Sequence, residues 1–190
     1  MTPSPASIVL LIGLRGAGKT THGRALARAL SRDFHDLDEL ALAASGASSV
    51  RELFKERGEA EWRSLEAACF ADVVTNEHLV LALGGGAPMV ASIQAGIRKA
   101  REAGRMRVLW LDAEDAVLAA RIGADDPGRP ALLVDDADGT LGPLEECRAL
   151  RKRRSSTFEA LADAVIDSDG PPDDILRRLV EAASPDESSA

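Results

Sequence analysis

The amino-acid sequence predicts a three-layer α/β/α sandwich built around a five-stranded parallel sheet, and two observations lead to this fold class. Short apolar runs alternate along the chain with segments of helical periodicity, which is the pattern of parallel strands joined by crossover helices. A glycine-rich loop at residues 13–20 joins the first apolar run to the first helical segment. The strands are therefore expected to be buried, with helices covering both faces of the sheet.

Five short segments are the strand candidates. They lie at residues 8–12, 34–36, 78–83, 107–111 and 164–166. Helical periodicity, with apolar residues recurring every three to four positions, fills the intervals between them. The predicted helices cover residues 20–30, 37–44, 50–55, 59–75, 90–103, 113–122, 143–161 and 172–183.

Length and composition predict one domain that spans residues 1–190. A chain of this size buries enough apolar surface to fold without disulfides. Cys69 and Cys147 belong to no metal-binding motif, so we expect reduced thiols. Residues 1–7 and 184–190 are rich in proline, serine or acidic residues, and we expect them to be flexible tails.

The charge balance narrows the classes of partner. The formal net charge is −8 at pH 7, which argues against a general role in binding nucleic acid or a membrane surface. No apolar run approaches the length of a membrane span, and residues 1–7 lack the features of a secretory signal, so we expect a cytoplasmic location. We expect a monomer whose partner is a small molecule. An anionic ligand would have to be held by local arginines.

Residues 13–20 match the phosphate-binding pattern G-x-x-x-x-G-K-[ST] at every defined position. A chance glycine turn is the alternative, but the flanking strand and helix favour a nest of backbone N–H groups at a positive helix end. Lys19 would reach the terminal phosphates of a nucleotide, and the hydroxyl of Thr20 would hold Mg²⁺. The residues expected to bind the nucleotide are Gly13, Arg15, Gly16, Ala17, Gly18, Lys19, Thr20 and Thr21.

Asp36 and Asp38 lie two residues apart at the end of the second predicted strand. On an extended segment both side chains would point the same way, into the crevice beyond the carboxyl edge of the sheet. One carboxylate near Mg²⁺ and one near an acceptor hydroxyl are what phosphoryl transfer requires. The alternative is that one of them caps the helix that begins at Leu37, since aspartate is a favoured N-cap.

Four motifs follow the loop in a fixed order. They are Asp36-Leu37-Asp38, Glu61-Trp62-Arg63, Leu83-Gly84-Gly85-Gly86 and Gly128-Arg129-Pro130. With the loop, this ordered set resembles the shikimate kinase family over roughly residues 8–183. The resemblance implies a P-loop NTPase-type sheet with the strand order 2-3-1-4-5. It also implies transfer of phosphate from ATP, with Mg²⁺, to the 3-hydroxyl of shikimate, in the pathway to chorismate and the aromatic amino acids.

The resemblance assigns roles to the matching charged residues. Asp36 reaches the Mg²⁺ site, whereas Asp38 holds the attacking hydroxyl and can take its proton. Arg63 binds the substrate carboxylate with its planar fork. The alternative for Arg63 is a surface salt bridge with Glu59 or Glu66, at helical spacings of four and three.

The triple glycine lines the acceptor site in the resembled family. Gly84, Gly85 and Gly86 would let a ligand approach the backbone without a Cβ in the way. A tight turn before Pro88 would also use glycine, and this is the alternative.

The least regular internal stretch, residues 124–142, is a candidate mobile lid, because long irregular loops in compact domains tend to be functional. By resemblance, Arg129 within it would close over the transferred phosphate and stabilise the charge that develops there. Arg121, at the end of the preceding helix, would pack near the adenine or the phosphates.

The sequence departs from the family pattern before the last strand. The family has an aromatic residue followed by an arginine, which is the second clamp on the substrate carboxylate, and the matching positions here hold Phe158 and Glu159. A carboxylate that faces a carboxylate is repulsive. Glu159 therefore points away, or another cation such as Arg154 takes over, or the substrate differs, and the sequence leaves all three open.

Two rival functions follow from these observations. One is a kinase of the same fold that acts on another small hydroxy acid or polyol, as Glu159 suggests. The other is a non-catalytic ligand-sensing domain derived from such a kinase. A sensor need not keep every catalytic residue. The presence of the whole catalytic set therefore argues against this second rival, and its members are Lys19, Thr20, Asp36, Asp38 and Arg129.

Overall fold

The computed structural model describes the backbone of residues 6–125, 134–135 and 139–184, and the side chains of residues 6–122 and 141–184. The strands in this part of the chain are β1 Ile8–Ile12, β2 Asp33–Asp36, β3 Leu79–Ala82, β4 Met106–Asp112, β5 Val134–Asp135, β6 Gly139–Thr140 and β7 Ala164–Asp167. The helices are α1 Lys19–Leu30, α2 Leu37–Ser45, α3 Val50–Val73, α4 Ala91–Glu102, α5 Asp115–Asp125, α6 Pro143–Leu161 and α7 Pro172–Ala183.

Five of the strands form one parallel sheet in the order β2-β3-β1-β4-β7. The order 2-3-1-4-5 is thereby confirmed, with β7 as the fifth strand of the sheet. The central strand β1 pairs with β3 on one side and β4 on the other, and all of its side chains are fully buried. Because the strands are parallel, the carboxyl ends of β1, β2 and β3 meet at one edge, where α/β folds bind their ligands.

Helices form the outer layers. α1 and α7 contact each other and the strands, and α4 and α6 likewise contact each other and the sheet. A glycine lets α1 approach the sheet closely, since a Cβ at Gly23 would lie 2.6 Å from the ring of Phe34 and 3.0 Å from Leu11. On α7, Ile175 and Leu179 are buried against the core.

α3 is interrupted at Gly58. The sequence predicts separate helices over residues 50–55 and 59–75, and the structure shows one run in which Gly58 has the non-helical angles φ 80° and ψ 169°. Glycine adopts this conformation freely, whereas other residues are strained by it. The interruption sets the direction of the second half of α3, which borders the cleft described below.

β5 and β6 form a short antiparallel ribbon within the irregular stretch 124–142, which the sequence did not predict. Residues 126–133, with Arg129, and residues 136–138 of the candidate lid lie outside the described residues, and residues 124–125 belong to α5. Cys69 and Cys147 are free thiols, as expected. Within the described residues, no helix combines the length and the apolar character that crossing a membrane requires.

Candidate active site

A cleft of about 980 Å³ opens at the carboxyl edge of the sheet. Its floor is the loop that follows β1, and its walls come from the segments after β2 and β3, from α3, and from α6 and the start of α7. Gly13 and Ala17 belong to this loop, but both are buried and do not line the cleft. The other predicted site residues that the structure describes line the cleft: Arg15, Gly16, Gly18, Lys19, Thr20, Thr21, Asp36, Asp38, Arg63, Gly84, Gly85, Gly86 and Arg121.

The loop has the geometry of a phosphate cradle. Gly16 and Gly18 have φ angles of 82° and 79°, in the left-handed region that glycine adopts without strain. Lys19 begins α1, and its Nζ donates hydrogen bonds of 3.1 Å to Gly13 O and 2.9 Å to Leu14 O. Backbone N–H groups and an ammonium group therefore meet at a helix N-terminus, where phosphate binding is favoured.

Thr20 and Asp36 meet beside this cradle. Thr20 Oγ1 donates a hydrogen bond of 2.7 Å to Asp36 Oδ2, and the backbone N–H of Asp38 donates one of 3.0 Å to Asp36 Oδ1. The second bond makes Asp36 the N-cap of α2, so the capping alternative holds for Asp36 together with its place in the cleft. A hydroxyl and a carboxylate are the oxygen ligands that Mg²⁺ prefers, and the pair fits this ion.

Asp38 lies on the first turn of α2, against the glycine turn that follows β3. A Cβ at Gly84 would collide with the Asp38 carboxylate, so glycine is required there for this carboxylate to keep its place. A Cβ at Gly85 would lie 3.5 Å from the backbone nitrogen of Arg15 in the loop. Carboxylate, glycine turn and phosphate cradle are thus direct neighbours.

Arg63 stands on the second half of α3. Its Nη1 donates a hydrogen bond of 2.6 Å to Glu66 Oε2, and its Nε and Nη2 donate bonds of 3.1 Å and 2.8 Å to Glu59 Oε1. The helical salt bridge is therefore present, yet Arg63 also lines the cleft and lies against Gly86. Burial opposes the charge of Arg63, but the carboxylates of Glu66 and Glu59 outweigh burial and raise the pKa of its guanidinium.

Glu66 is a cleft residue to which the sequence assigned no role beyond its spacing from Arg63. Its side chain is 1% exposed, and its Oε1 has no hydrogen-bond partner among the described residues. Burial raises the pKa of Glu66 to about 7, although the charge of Arg63 opposes this shift. A carboxyl group that titrates near neutral pH therefore supports the arginine.

We expect Glu66 to make the folded protein less stable as the pH rises from about 5 to about 7. Its pKa of about 7 in the folded chain exceeds the ordinary value of 4.5, so over this interval the folded state binds more protons than the unfolded state, and stability falls as protons are lost. One such proton contributes at most about 1.4 kcal/mol per pH unit. Urea unfolding at several pH values measures this effect. The free energy of unfolding of Glu66→Gln will depend less steeply on pH than that of the wild type.

The control for this measurement is Glu61→Gln, an exposed position on the same helix. It should keep the wild-type pH dependence. Equal slopes for the wild type and Glu66→Gln would contradict the elevated pKa.

Arg154, and not a residue at position 159, is the second arginine at the glycine turn that follows β3. Glu159 is exposed on α6, whereas Arg154 lines the cleft and donates a hydrogen bond of 2.9 Å from Nη1 to Gly85 O. Five helical positions correspond to about 500°, or about 140° around the axis, so the two side chains face different ways. Of the alternatives that the sequence left open, the structure therefore shows that Glu159 points away from the cleft, and it places the cation Arg154 in the cleft.

Two guanidinium groups converge on the glycine turn, one from α3 and one from α6. Burial, and then the positive charge of Arg63, lower the pKa of Arg154, but an arginine remains protonated at neutral pH. An anionic group on a ligand would offset the repulsion between the two cations. This part of the cleft is therefore suited to a carboxylate.

The opposite end of the cleft is bordered by α1, α5 and the start of α7. Arg121 bridges the loop and the segment after β7. Its Nη1 donates a hydrogen bond of 3.4 Å to Gly16 O, and its Nη2 donates one of 3.0 Å to Ser168 O. His22, which the sequence reasoning missed, is 9% exposed, and burial followed by the charge of Arg121 lowers its pKa, so it is neutral at pH 7. Pro172 adds an apolar surface. Because the two arginines of the glycine turn lie at the other end of the cleft, this end suits a nucleoside.

Comparisons with known proteins agree with this geometry. The family model for shikimate kinase matches residues 15–184. A shikimate kinase of Salinibacter ruber is 37% identical over 180 residues, which cover 93% of this chain and 84% of that protein. One of Bordetella pertussis is 37% identical over 177 residues, which cover 93% of this chain and 76% of that protein.

Solved structures give the same result. The structure of shikimate kinase from Acinetobacter baumannii in complex with shikimate matches with a TM-score of 0.80 and 28% sequence identity, over 93% of this chain and 92% of that chain. The strand order, the cradle and the paired arginines are thus found in a chain that shares sequence with these enzymes along almost its whole length. On these grounds the chain belongs to the shikimate kinase family.

Proposed function

We propose that this chain transfers the γ-phosphoryl group of ATP to the 3-hydroxyl of shikimate, a step in the pathway to chorismate and the aromatic amino acids. The observation that carries the proposal is the convergence of Asp38, Arg63 and Arg154 on the glycine turn beside the phosphate cradle. Two cations and one carboxylate suit a small acid that also carries hydroxyl groups. Such an acid would lie next to the terminal phosphate of a nucleotide.

The loop residues bind the nucleotide. The backbone N–H groups of the loop hold the phosphates, and the ammonium group of Lys19 balances the charge on the terminal phosphates. Thr20 and Asp36 would hold Mg²⁺, which when bound neutralises charge on the phosphate oxygens. Arg121 would lie beside the adenine or the phosphates at the far end of the cleft.

The acceptor is held at both of its functional groups. Arg63 and Arg154 bind the carboxylate through charge-assisted hydrogen bonds, and Asp38 accepts a hydrogen bond from the 3-hydroxyl. The hydroxyl oxygen attacks the γ-phosphorus as the bond to the β–γ bridging oxygen breaks, and ADP leaves. The Asp38 carboxylate takes the hydroxyl proton.

Some parts of the proposal depend on the sequence alone. Closure of Arg129 over the transferred phosphate stays a prediction, because Arg129 lies outside the described residues. Four further expectations also stay predictions: a single domain over residues 1–190, a monomeric state, a cytoplasmic location and the lack of a nucleic-acid partner.

A coupled assay of ADP release tests the proposed acceptor. Shikimate, quinate and gluconate are supplied in turn with ATP and Mg²⁺, and the product is identified by mass spectrometry. We expect rapid turnover with shikimate and formation of its 3-phosphate. Faster turnover with another acceptor would favour the rival kinase, but Glu159, which motivated that rival, is exposed.

Asp38→Ala should lower turnover with shikimate by a factor of about 10² or more, because no group then accepts the hydroxyl proton. The KM for ATP should stay nearly unchanged. Asp33→Ala, an exposed aspartate at the start of β2, is the matched control. A ligand-sensing domain would instead bind shikimate without releasing ADP, in the wild type as in both variants.

A further inference from the structure

Glu59 occupies an edge of Arg63 with which the arginine could bind a substrate carboxylate. Both Nε and Nη2 of Arg63 donate to Glu59 Oε1, at 3.1 Å and 2.8 Å. Nη1 is bonded to Glu66, and the end of the guanidinium that carries both Nη atoms lies against Gly86, where a Cβ would come within 2.8 Å of it. The Nε–Nη2 edge is one of the edges with which a guanidinium makes a two-point contact to a carboxylate, and a carboxylate of the chain itself holds it.

The two glutamates around Arg63 differ in how firmly they are held. The side chain of Glu66 is 1% exposed, whereas that of Glu59 is 63% exposed. An ion pair between helical neighbours contributes little free energy when one partner is as exposed as Glu59, because water solvates that carboxylate once it separates from Arg63. Glu66 is thus a fixed partner of Arg63, and Glu59 is a displaceable one.

Glu59 also acts on the second arginine. Its negative charge raises the pKa of Arg154, against the effects of burial and of the nearby positive charge of Arg63. Glu59 lines the cleft together with both arginines. Its carboxylate therefore faces the two cations that the proposed function assigns to the substrate carboxylate.

We propose that Glu59 takes the place of the substrate carboxylate on Arg63 when the acceptor site is empty, and that the substrate displaces it on binding. This inference rests on the proposed function. Glu59 limits the repulsion between Arg63 and Arg154 in the empty site. The cost is a weaker apparent affinity for the acceptor, because each binding event must first break the bond between Glu59 and Arg63.

Glu59→Gln removes the competing charge while keeping the size of the side chain. We expect its KM and Kd for shikimate to fall about 2- to 5-fold, as the loss of an exposed ion pair implies. The KM for ATP should not change. Glu61→Gln, an exposed position on the same helix that does not line the cleft, should behave as the wild type.

The methyl ester of shikimate separates displacement from a general effect of charge. It lacks the anionic group that competes with Glu59, so Glu59→Gln should leave its Kd, measured by calorimetry, unchanged. An equal gain for the ester and the acid would overturn the inference. So would an unchanged or higher KM for shikimate in Glu59→Gln, since a higher value would mean that Glu59 holds Arg63 in its working position.

Failure of the proposed function would be seen separately. It would appear as a wild-type protein that does not phosphorylate shikimate, and it would remove this inference as well. An active wild type whose KM does not improve in Glu59→Gln would remove only the inference. Glu59→Ala should shift the KM in the same direction as Glu59→Gln, and thermal unfolding of both variants verifies that they are folded.

Discussion

Lys19→Ala should lower the rate of phosphoryl transfer by a factor of about 10² or more at saturating ATP and shikimate. The ammonium group lies at the start of α1, bonded to the carbonyls of Gly13 and Leu14 at the centre of the cradle. From there it can balance the charge that spreads over the transferred phosphoryl group, and alanine cannot. Steady-state measurement of ADP release gives the loss directly.

The fold should survive this substitution, because Lys19 is only partly buried and takes no part in the hydrophobic core. Circular dichroism and thermal unfolding verify this point. Lys99→Ala, an exposed lysine on α4, serves as the control and should retain full activity. Turnover of Lys19→Ala within a few-fold of the wild type would disprove the role of the cradle.

Arg154→Ala should raise the KM for shikimate about 10- to 100-fold, since a charged hydrogen bond contributes about 1.5–3 kcal/mol and each 1.4 kcal/mol corresponds to a factor of about ten. Its guanidinium is held at the glycine turn by the hydrogen bond to Gly85 O, facing the same space as Arg63. The KM for ATP should change little, because the proposed nucleotide site lies elsewhere in the cleft. Initial rates over a matrix of both substrate concentrations separate the two constants.

Neighbouring residues of α6 provide matched controls. Arg153→Ala removes an exposed arginine one position away, and Glu159→Ala removes the exposed carboxylate that the family pattern had placed at the clamp. Both should keep the wild-type KM for shikimate, and so should Glu159→Arg. A lower KM in Glu159→Arg, with no effect of Arg154→Ala, would return the clamp to position 159.

The sequence by itself determined the fold class and the cradle. Strand and helix periodicities are local properties, so all five strands of the sheet were found within one residue of their observed ends. The pattern of residues 13–20 determines its own geometry, because glycine supplies the left-handed angles at Gly16 and Gly18 and the next residues form a helix. The gap between the predicted helices over residues 50–55 and 59–75 likewise contains Gly58, the residue at which α3 is interrupted.

Only the tertiary structure decided which charged residues of the helices face the ligand. The choice between Arg154 and Glu159 depends on how α6 is rotated against the sheet, and that rotation is set by core contacts such as Phe158 with Trp110, whose rings lie 5.6 Å apart. The negative charge of Asp38, which adds to burial in raising the pKa of Glu66, likewise comes from a residue distant in the chain. The spacing of Glu59, Arg63 and Glu66 predicted the salt bridge, but only the fold brought it to the cleft, because packing between distant segments determines where a helix face points.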